Sequence, residues 1–204
     1  MPKFCLVALL TTLLSFGCFL NSTFQTAEVT PPGKAMAGFG LSLRGGPRIE
    51  LPARIGIVDN FDIGVKYGIA DHVMIDGKYQ ALHDPIDLSV SLGFSYNTVN
   101  SGNSEFQNRT TSLGFFPMII VGKTGTETGW YAGLRGLYLS EAGVEEFIHD
   151  KTLFRNSGWI GQGLVLGGFI HGSGVRFLSE VNFLFDGNGR RIIIPTIGFQ
   201  FDTN

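Results

Sequence analysis

The chain has 204 residues with a formal net charge of −2, and 16% of its residues are charged, against about 25% in ordinary soluble domains. The near-neutral balance and the lack of a basic stripe exclude a nucleic-acid module, and the 29 glycines show no Gly-X-Y period. Beyond the first residues no uncharged run is long enough for a membrane helix, yet aromatic residues reach 12% and phenylalanine alone supplies 18 residues.

The N-terminus reads as an export signal: Lys3, then an apolar stretch from Phe4 to Leu14, then small residues at Ser15 and Gly17. Residues 1–17 are therefore assigned to a signal peptide. The only cysteines are Cys5 and Cys18, so the body has no disulfide framework and no thiolate metal site. Leu14-Ser15-Phe16-Gly17-Cys18 resembles the lipobox of bacterial lipoproteins, although Ser15 stands where leucine is usual and Phe16 is bulky. The resemblance implies acylation of Cys18, which would add about 0.8 kcal/mol of anchoring per buried CH₂. Phe19 is not the aspartate that favours inner-membrane retention in that family. Residues 18–33 are polar towards the end and close on Pro31-Pro32-Gly33. They read as a tether between anchor and fold, and residues 34–204 as the folded domain.

From Lys34 onward apolar and polar residues alternate with a period of two, the signature of strands with chemically opposite faces. Ten strands are expected. The first, about Lys34 to Leu43, sets Ala35, Ala37, Phe39 and Leu41 on one face. The second runs from about Arg48 to Ile57, and Asp59-Asn60 turns it. The third places Phe61, Ile63, Val65, Tyr67 and Ile69 against Asp62, Gly64, Lys66 and Gly68. The fourth, about Val73 to Leu82, carries Asp76, Lys78 and Gln80 on its polar face. The fifth alternates most cleanly, from Ile86 to Tyr96. A polar loop follows at 97–108, then strands at about Thr110 to Val121 and Gly129 to Leu139. A second long loop, 140–156, contains Val144, Phe147 and Ile148 at helical spacing, so a short helix is expected there. The last strands are about Ser157 to Ile170, Val175 to Phe185 and Arg191 to Phe201, with turns at His171–Gly174 and Asp186–Gly189.

Strands of about ten residues cross a bilayer when tilted. The expected fold is all-β, an antiparallel up-and-down transmembrane β-barrel of ten strands. With a periplasmic N-terminus, both long loops fall outside and the short turns inside. Pro52, Pro117 and Pro195 lie within expected strands, and a closed barrel has no edge to hide a missing N–H. Each must sit at a bulge or rim, and eight or twelve strands remain alternatives.

The chain ends Gly198-Phe199-Gln200-Phe201-Asp202-Thr203-Asn204. This resembles the aromatic-ended last strand of bacterial outer-membrane β-barrels, with three residues added. The resemblance implies that Gly198, Phe199 and Phe201 form a signal for the barrel assembly machinery. Arg54 to Gly64 and Asp76-Gly77-Lys78-Tyr79-Gln80 are similar to segments of small outer-membrane barrels. The location implied is the bacterial outer membrane, with its lipid as a partner.

The expected lumen charges are Arg48, Arg54, Lys66, Lys78, Arg135 and Arg176 against Glu50, Asp62, Asp76, Asp87 and Glu180. A ring of one sign would suit an ion-selective pore; near balance suits pairing, because an unpaired buried charge costs several kcal/mol. The expected function is a structural or narrow-pore barrel, non-catalytic and without cofactor or metal, with an extracellular ligand able to meet loops 97–108 and 140–156. Two other classes compete. His171, Ser173 and Glu180 are the residue types of a nucleophilic triad, and His171-x-Ser173 resembles the site of outer-membrane lipid A deacylases, with Gly174 in place of an asparagine. A lipid-anchored, lipocalin-like periplasmic barrel would instead turn its apolar side inward. His72, His83 and His149 are scattered singly, without the spacing of metal ligands.

Overall fold

The computed structural model describes residues 24–43, 47–68, 72–102, 106–125, 127–147, 150–186 and 191–203. Ten strands follow in chain order: β1 Ala35–Leu43, β2 Pro47–Val58, β3 Phe61–Gly68, β4 His72–Leu82, β5 Asp87–Gly102, β6 Phe106–Thr124, β7 Thr128–Phe147, β8 Asp150–Gly172, β9 Val175–Asp186 and β10 Arg191–Thr203. Each pairs antiparallel with its neighbour, and β1 closes on β10 from Ala35↔Thr203 to Ser42↔Thr196. The ten-strand count is the expected one, and no free edge remains around the wall.

The alternation in sequence becomes two surfaces of opposite chemistry. Outward-facing side chains include Ile63, Val65, Ile75, Leu92, Ile119, Leu134, Leu166 and Ile197, all exposed. Inward-facing ones on the same strands include Asp62, Lys66, Asp76 and Lys78, all buried. Outward aromatics gather at two levels. Phe61, Tyr79, Trp130, Phe177, Phe199 and Phe201 lie near the end where β1 starts, and Tyr67, Phe94, Tyr96, Phe115 and Tyr138 near the other. An apolar band between two aromatic girdles is the outer surface of a barrel whose solvent is lipid. A lipocalin-like barrel would be the other way round.

All three strand prolines sit where a ladder lapses. The β1–β2 register passes from Ala37↔Ala53 to Gly40↔Glu50, skipping Pro52. The β6–β7 register passes from Phe115↔Tyr138 to Met118↔Arg135, skipping Pro117. Pro195 pairs with Val181 on β9 but lies one residue past the last β1 pairing, at Thr196. Each missing N–H therefore faces a gap.

Two expected loops are instead strand. β5 continues to Gly102 and β6 starts at Phe106; β7 continues to Phe147 and β8 starts at Asp150. The short helix expected around Val144 and Phe147 is absent from that span, because β7 runs through both; Ile148 lies outside the described residues. These four strands are 16, 19, 20 and 23 residues long. They rise past the wall as one sheet, since β4 pairs with β5 only as far as Asn97 and β9 with β8 only from Gly161. A register fixed within the wall continues up a hairpin, because each backbone N–H and C=O gains a partner. Thr98, Val99, Thr110, Thr111 and Val144 favour the extended conformation.

The expected turn at His171 is shorter. β8 includes His171 and Gly172, and the turn is Ser173-Gly174. Their φ values of 47 and 79 are both left-handed, as a two-residue type I′ hairpin requires.

Candidate functional site: the barrel lumen

Ten strands enclose more space than the eight whose side chains fill a barrel. Several inward positions are also glycine, including Gly40, Gly56, Gly64, Gly93 and Gly198. The space is taken by the chain itself. Residues 24–30, expected to belong to a tether outside the fold, lie inside the lumen; Phe24, Ala27 and Val29 are all buried.

The segment is held by its main chain. The Phe24 N–H donates to Glu180 Oε2 (3.1 Å), and Gln200 Nε2 donates to the Phe24 carbonyl (2.9 Å). Lys78 Nζ donates to the carbonyls of Thr26 (3.0 Å) and Glu28 (2.5 Å). Ser89 Oγ donates to the Ala27 carbonyl. The Val29 N–H donates to Gln80 Oε1 (3.3 Å) and the Thr30 N–H to Asp62 Oδ2 (2.8 Å). Below them, Gly33 and Gly56 tie the segment to β2: Gly33 N–H donates to the Gly56 carbonyl and Gly56 N–H to the Lys34 carbonyl, both at 3.0 Å.

Around this segment the lumen has two unlike walls. On β2, β3 and β4 it is charged. Arg54 reaches Asp62 at 2.5 Å and Asp76 at 2.7 Å; Lys78 lies 3.5 Å from Asp62 and Lys66 3.8 Å from Glu50. On β6 to β8 it carries an apolar patch: Met118, Ile120, Tyr131, Val165 and Phe169, with Leu178 of β9, form one cluster with Phe24 and Ala27, while Arg176, Glu180 and Asn182 of β9 are also buried inward. The Phe24 ring fits over Gly40 and Gly198, where a Cβ would strike it, with Lys66 Nζ 5.7 Å from its centroid. Glu180 sits at the seam between the walls and also accepts from Tyr131 Oη and Asn182 Nδ2, each at 2.8 Å.

The remaining expected lumen residues face inward less deeply or nearer the mouths. Arg48 and Arg135 are half-buried. Arg176 stacks over the Phe169 ring at 4.7 Å and lies 3.7 Å from Glu28. Asp87 accepts from Gln80 at 2.9 Å and pairs with His83 at 2.8 Å. His83 lies in the β4–β5 turn, and its imidazole pKa is raised, first by the hydrogen bond to Asp87 and then by that carboxylate's charge.

The three residues considered as a triad are not brought together. Ser173 is in the exposed turn, His171 lies 3.4 Å from Asp202, and Glu180 is buried against Phe24. Arg176 is the β9 partner of His171, so Glu180 lies four residues further up that strand, about 13 Å away at strand rise. No group of three or more potential metal ligands occurs among the described residues, and His149 lies outside them. Of the expected assembly signal, Phe199 and Phe201 point outward, and Gly198 points inward beneath Phe24.

Sequence reasoning missed the inserted segment and its uncharged binders Gln80, Ser89 and Gln200. One signal was available: an isolated phenylalanine at residue 24 in a polar stretch, matched by glycines on two strands that prove to be neighbours.

A closed antiparallel barrel that is apolar without and polar within is a transmembrane β-barrel of the bacterial outer-membrane type. No protein-family model matches the chain, and no curated protein matches it. Solved structures with a similar fold include Ail, the attachment invasion locus protein of Yersinia pestis (TM-score 0.41, 8% identity, covering 83% of this chain and 97% of that one). The translocator domain of the autotransporter NalP from Neisseria meningitidis gives 0.42 and 12% identity over 82% and 86%. The N-terminal β-barrel domain of Pseudomonas aeruginosa OprF gives 0.34 and 4% identity over 85% and 100%. Likenesses this distant assign no activity to the chain.

Proposed function

We propose that the chain is a non-catalytic outer-membrane barrel of structural type, with a charge-paired polar wall and a lumen closed at rest. Residues 1–17 direct export, Cys18 carries the lipid anchor, and Gly198, Phe199 and Phe201 present the last strand to the barrel assembly machinery. The sheet rising from β5 to β8, with spans 97–108 and 140–156, is the part available to an extracellular ligand. One observation carries this reading: on the same strands, apolar side chains face out while Asp62, Lys66, Asp76 and Lys78 are buried within. Charges turned into a closed lumen and a greasy band turned outward suit lipid outside and a polar interior. The separation of Glu180, buried against Phe24, from His171 and Ser173 at the hairpin turn supports the non-catalytic reading over a lipid A deacylase.

The test is heat-modifiability on a denaturing gel, with and without boiling, combined with carbonate washing of the membrane fraction. A membrane barrel keeps a separate unboiled band and stays in the membrane after washing, including when Cys18→Ser removes the acylation site. Release of the Cys18→Ser protein into the wash would overturn the reading and restore a lipid-anchored periplasmic barrel.

A further inference from the structure

The geometry points to a peptide-binding site in the lumen, one that recognises main-chain N–H and C=O groups and is filled in cis by Phe24–Thr30, so that the barrel is a pore closed by a replaceable plug. This rests on the membrane-barrel reading and adds to it a ligand class and a closed state.

Three observations carry it. First, recognition is through main chain. Glu180, Gln200, Lys78, Ser89, Gln80 and Asp62, from five different strands, all bond backbone atoms of the segment. The segment's own Gln25 Oε1 and Thr30 Oγ1 are buried without a hydrogen-bond partner, and Glu28 lies 3.7 Å from Arg176 at the mouth; the polar contacts deep in the lumen are to main chain. Such a site tolerates sequence at most positions while fixing the path of the backbone, which bends at Ala27-Glu28 and is left-handed at Phe24 (φ 42). Second, one side chain anchors the register. The Phe24 ring occupies the bay above Gly40 and Gly198 on neighbouring strands, and a Cβ at either would collide with it. Third, the charged wall on β2 to β4 does not need the peptide for neutrality. Arg54, Lys66 and Lys78 are paired with Asp62, Asp76 and Glu50. Without the segment these pairs become solvated rather than orphaned, and the β-ladders are untouched. The segment leaves through the mouth where β1 starts, beside a cleft of about 280 Å³ that includes Glu28, Lys34, Arg176 and Asp202 in its lining. A peptide added in trans has an entry there.

The experiment is ion conductance across planar bilayers, with heat-modifiability run in parallel to report the barrel separately from the plug. The intact protein is expected to give no steps. The protein lacking residues 24–30 is expected to give steps, and a synthetic peptide of sequence Phe-Gln-Thr-Ala-Glu-Val-Thr to close them. A peptide with the same composition in another order, still starting with phenylalanine, should close the pore too. One with alanine in place of that phenylalanine should need at least about tenfold more. A heat-modifiable deletion protein that stays silent sinks the plug, as does an intact protein that conducts as well as the deletion. Steps that no peptide closes sink the peptide site. If the deletion protein is not heat-modifiable, Gly40→Leu fills the ring bay with the chain otherwise whole; steps support the proposal and silence overturns it.

Discussion

On β2, β3 and β4 the lumen is built from charges that hold one another: Arg54 between Asp62 and Asp76, Lys78 on Asp62, Lys66 on Glu50. On β6 to β8 the inward positions instead carry Met118, Ile120, Tyr131, Val165 and Phe169, joined by Leu178 of β9. The two walls place different demands on what lies between them. The polar wall needs its own partners kept, and it uses the inserted segment only to complete hydrogen bonds. The apolar wall needs something to exclude water, and Phe24 and Ala27 supply it. One peptide meets both: the Val29 and Thr30 N–H groups and the Thr26 and Glu28 carbonyls bond to β3 and β4, while the Phe24 and Ala27 side chains join the apolar cluster.

Substitutions in the two walls should therefore fail by different mechanisms. Asp62 holds Arg54, Lys78 and the Thr30 N–H at once, so Asp62→Ala leaves two buried cations short of a partner. The expected cost is about 3–5 kcal/mol, read as a shift in the urea midpoint of the purified barrel in detergent. A loss below about 1 kcal/mol would mean that water already screens the pair, and the polar wall would not be a buried network. In the apolar wall the largest expected effect comes from Leu178, which is fully buried. Leu178→Ala should cost about 3 kcal/mol by transfer and cavity terms. In the protein lacking residues 24–30 the same substitution should cost less, because water already reaches the cluster. Equal costs in both backgrounds would show that Leu178 packs independently of the segment. Ile120→Val, deleting one methylene from the same cluster, should cost about 1 kcal/mol in the same assay.

The polar wall was legible in sequence because its strands alternate: Asp62, Gly64 and Lys66 between Ile63, Val65 and Tyr67 state which side is which. The apolar wall was hidden because alternation disappears when both faces are apolar. Phe115-Phe116-Pro117-Met118-Ile119-Ile120-Val121 is the continuous run expected of a strand buried on both sides, one side here being lipid and the other the lumen cluster. The long hairpins were missed for the opposite reason. Above the lipid there is no apolar face to mark a strand, so Asn97 to Asn108 has the composition of a loop while residues 97–102 and 107–108 continue the ladder. The inserted segment left least trace, since main-chain recognition writes almost nothing into the sequence of the peptide recognised. What it did write is on the barrel: Gly40 and Gly198, far apart in the sequence yet paired across the β1–β10 seam.

The smallest expected effect lies where the polar wall reaches the mouth. Asp87 accepts from Gln80, which in turn accepts the Val29 N–H, and His83 meets the same Asp87 oxygen from the turn at 2.8 Å. The His83 pKa is raised by that hydrogen bond and charge. A histidine with a raised folded-state pKa stabilises the fold fully below its unfolded value, about 6.5, and the contribution is lost as pH rises through the folded value. Wild type should therefore unfold at a higher urea midpoint than His83→Ala at pH 5.5, and the two should converge by pH 8.5. The difference should be small, because the imidazole is exposed and solvent screens the pair. A difference that grows with pH would mean that His83 acts as a neutral acceptor, leaving Gln80 alone to hold Asp87 in place for the segment above it.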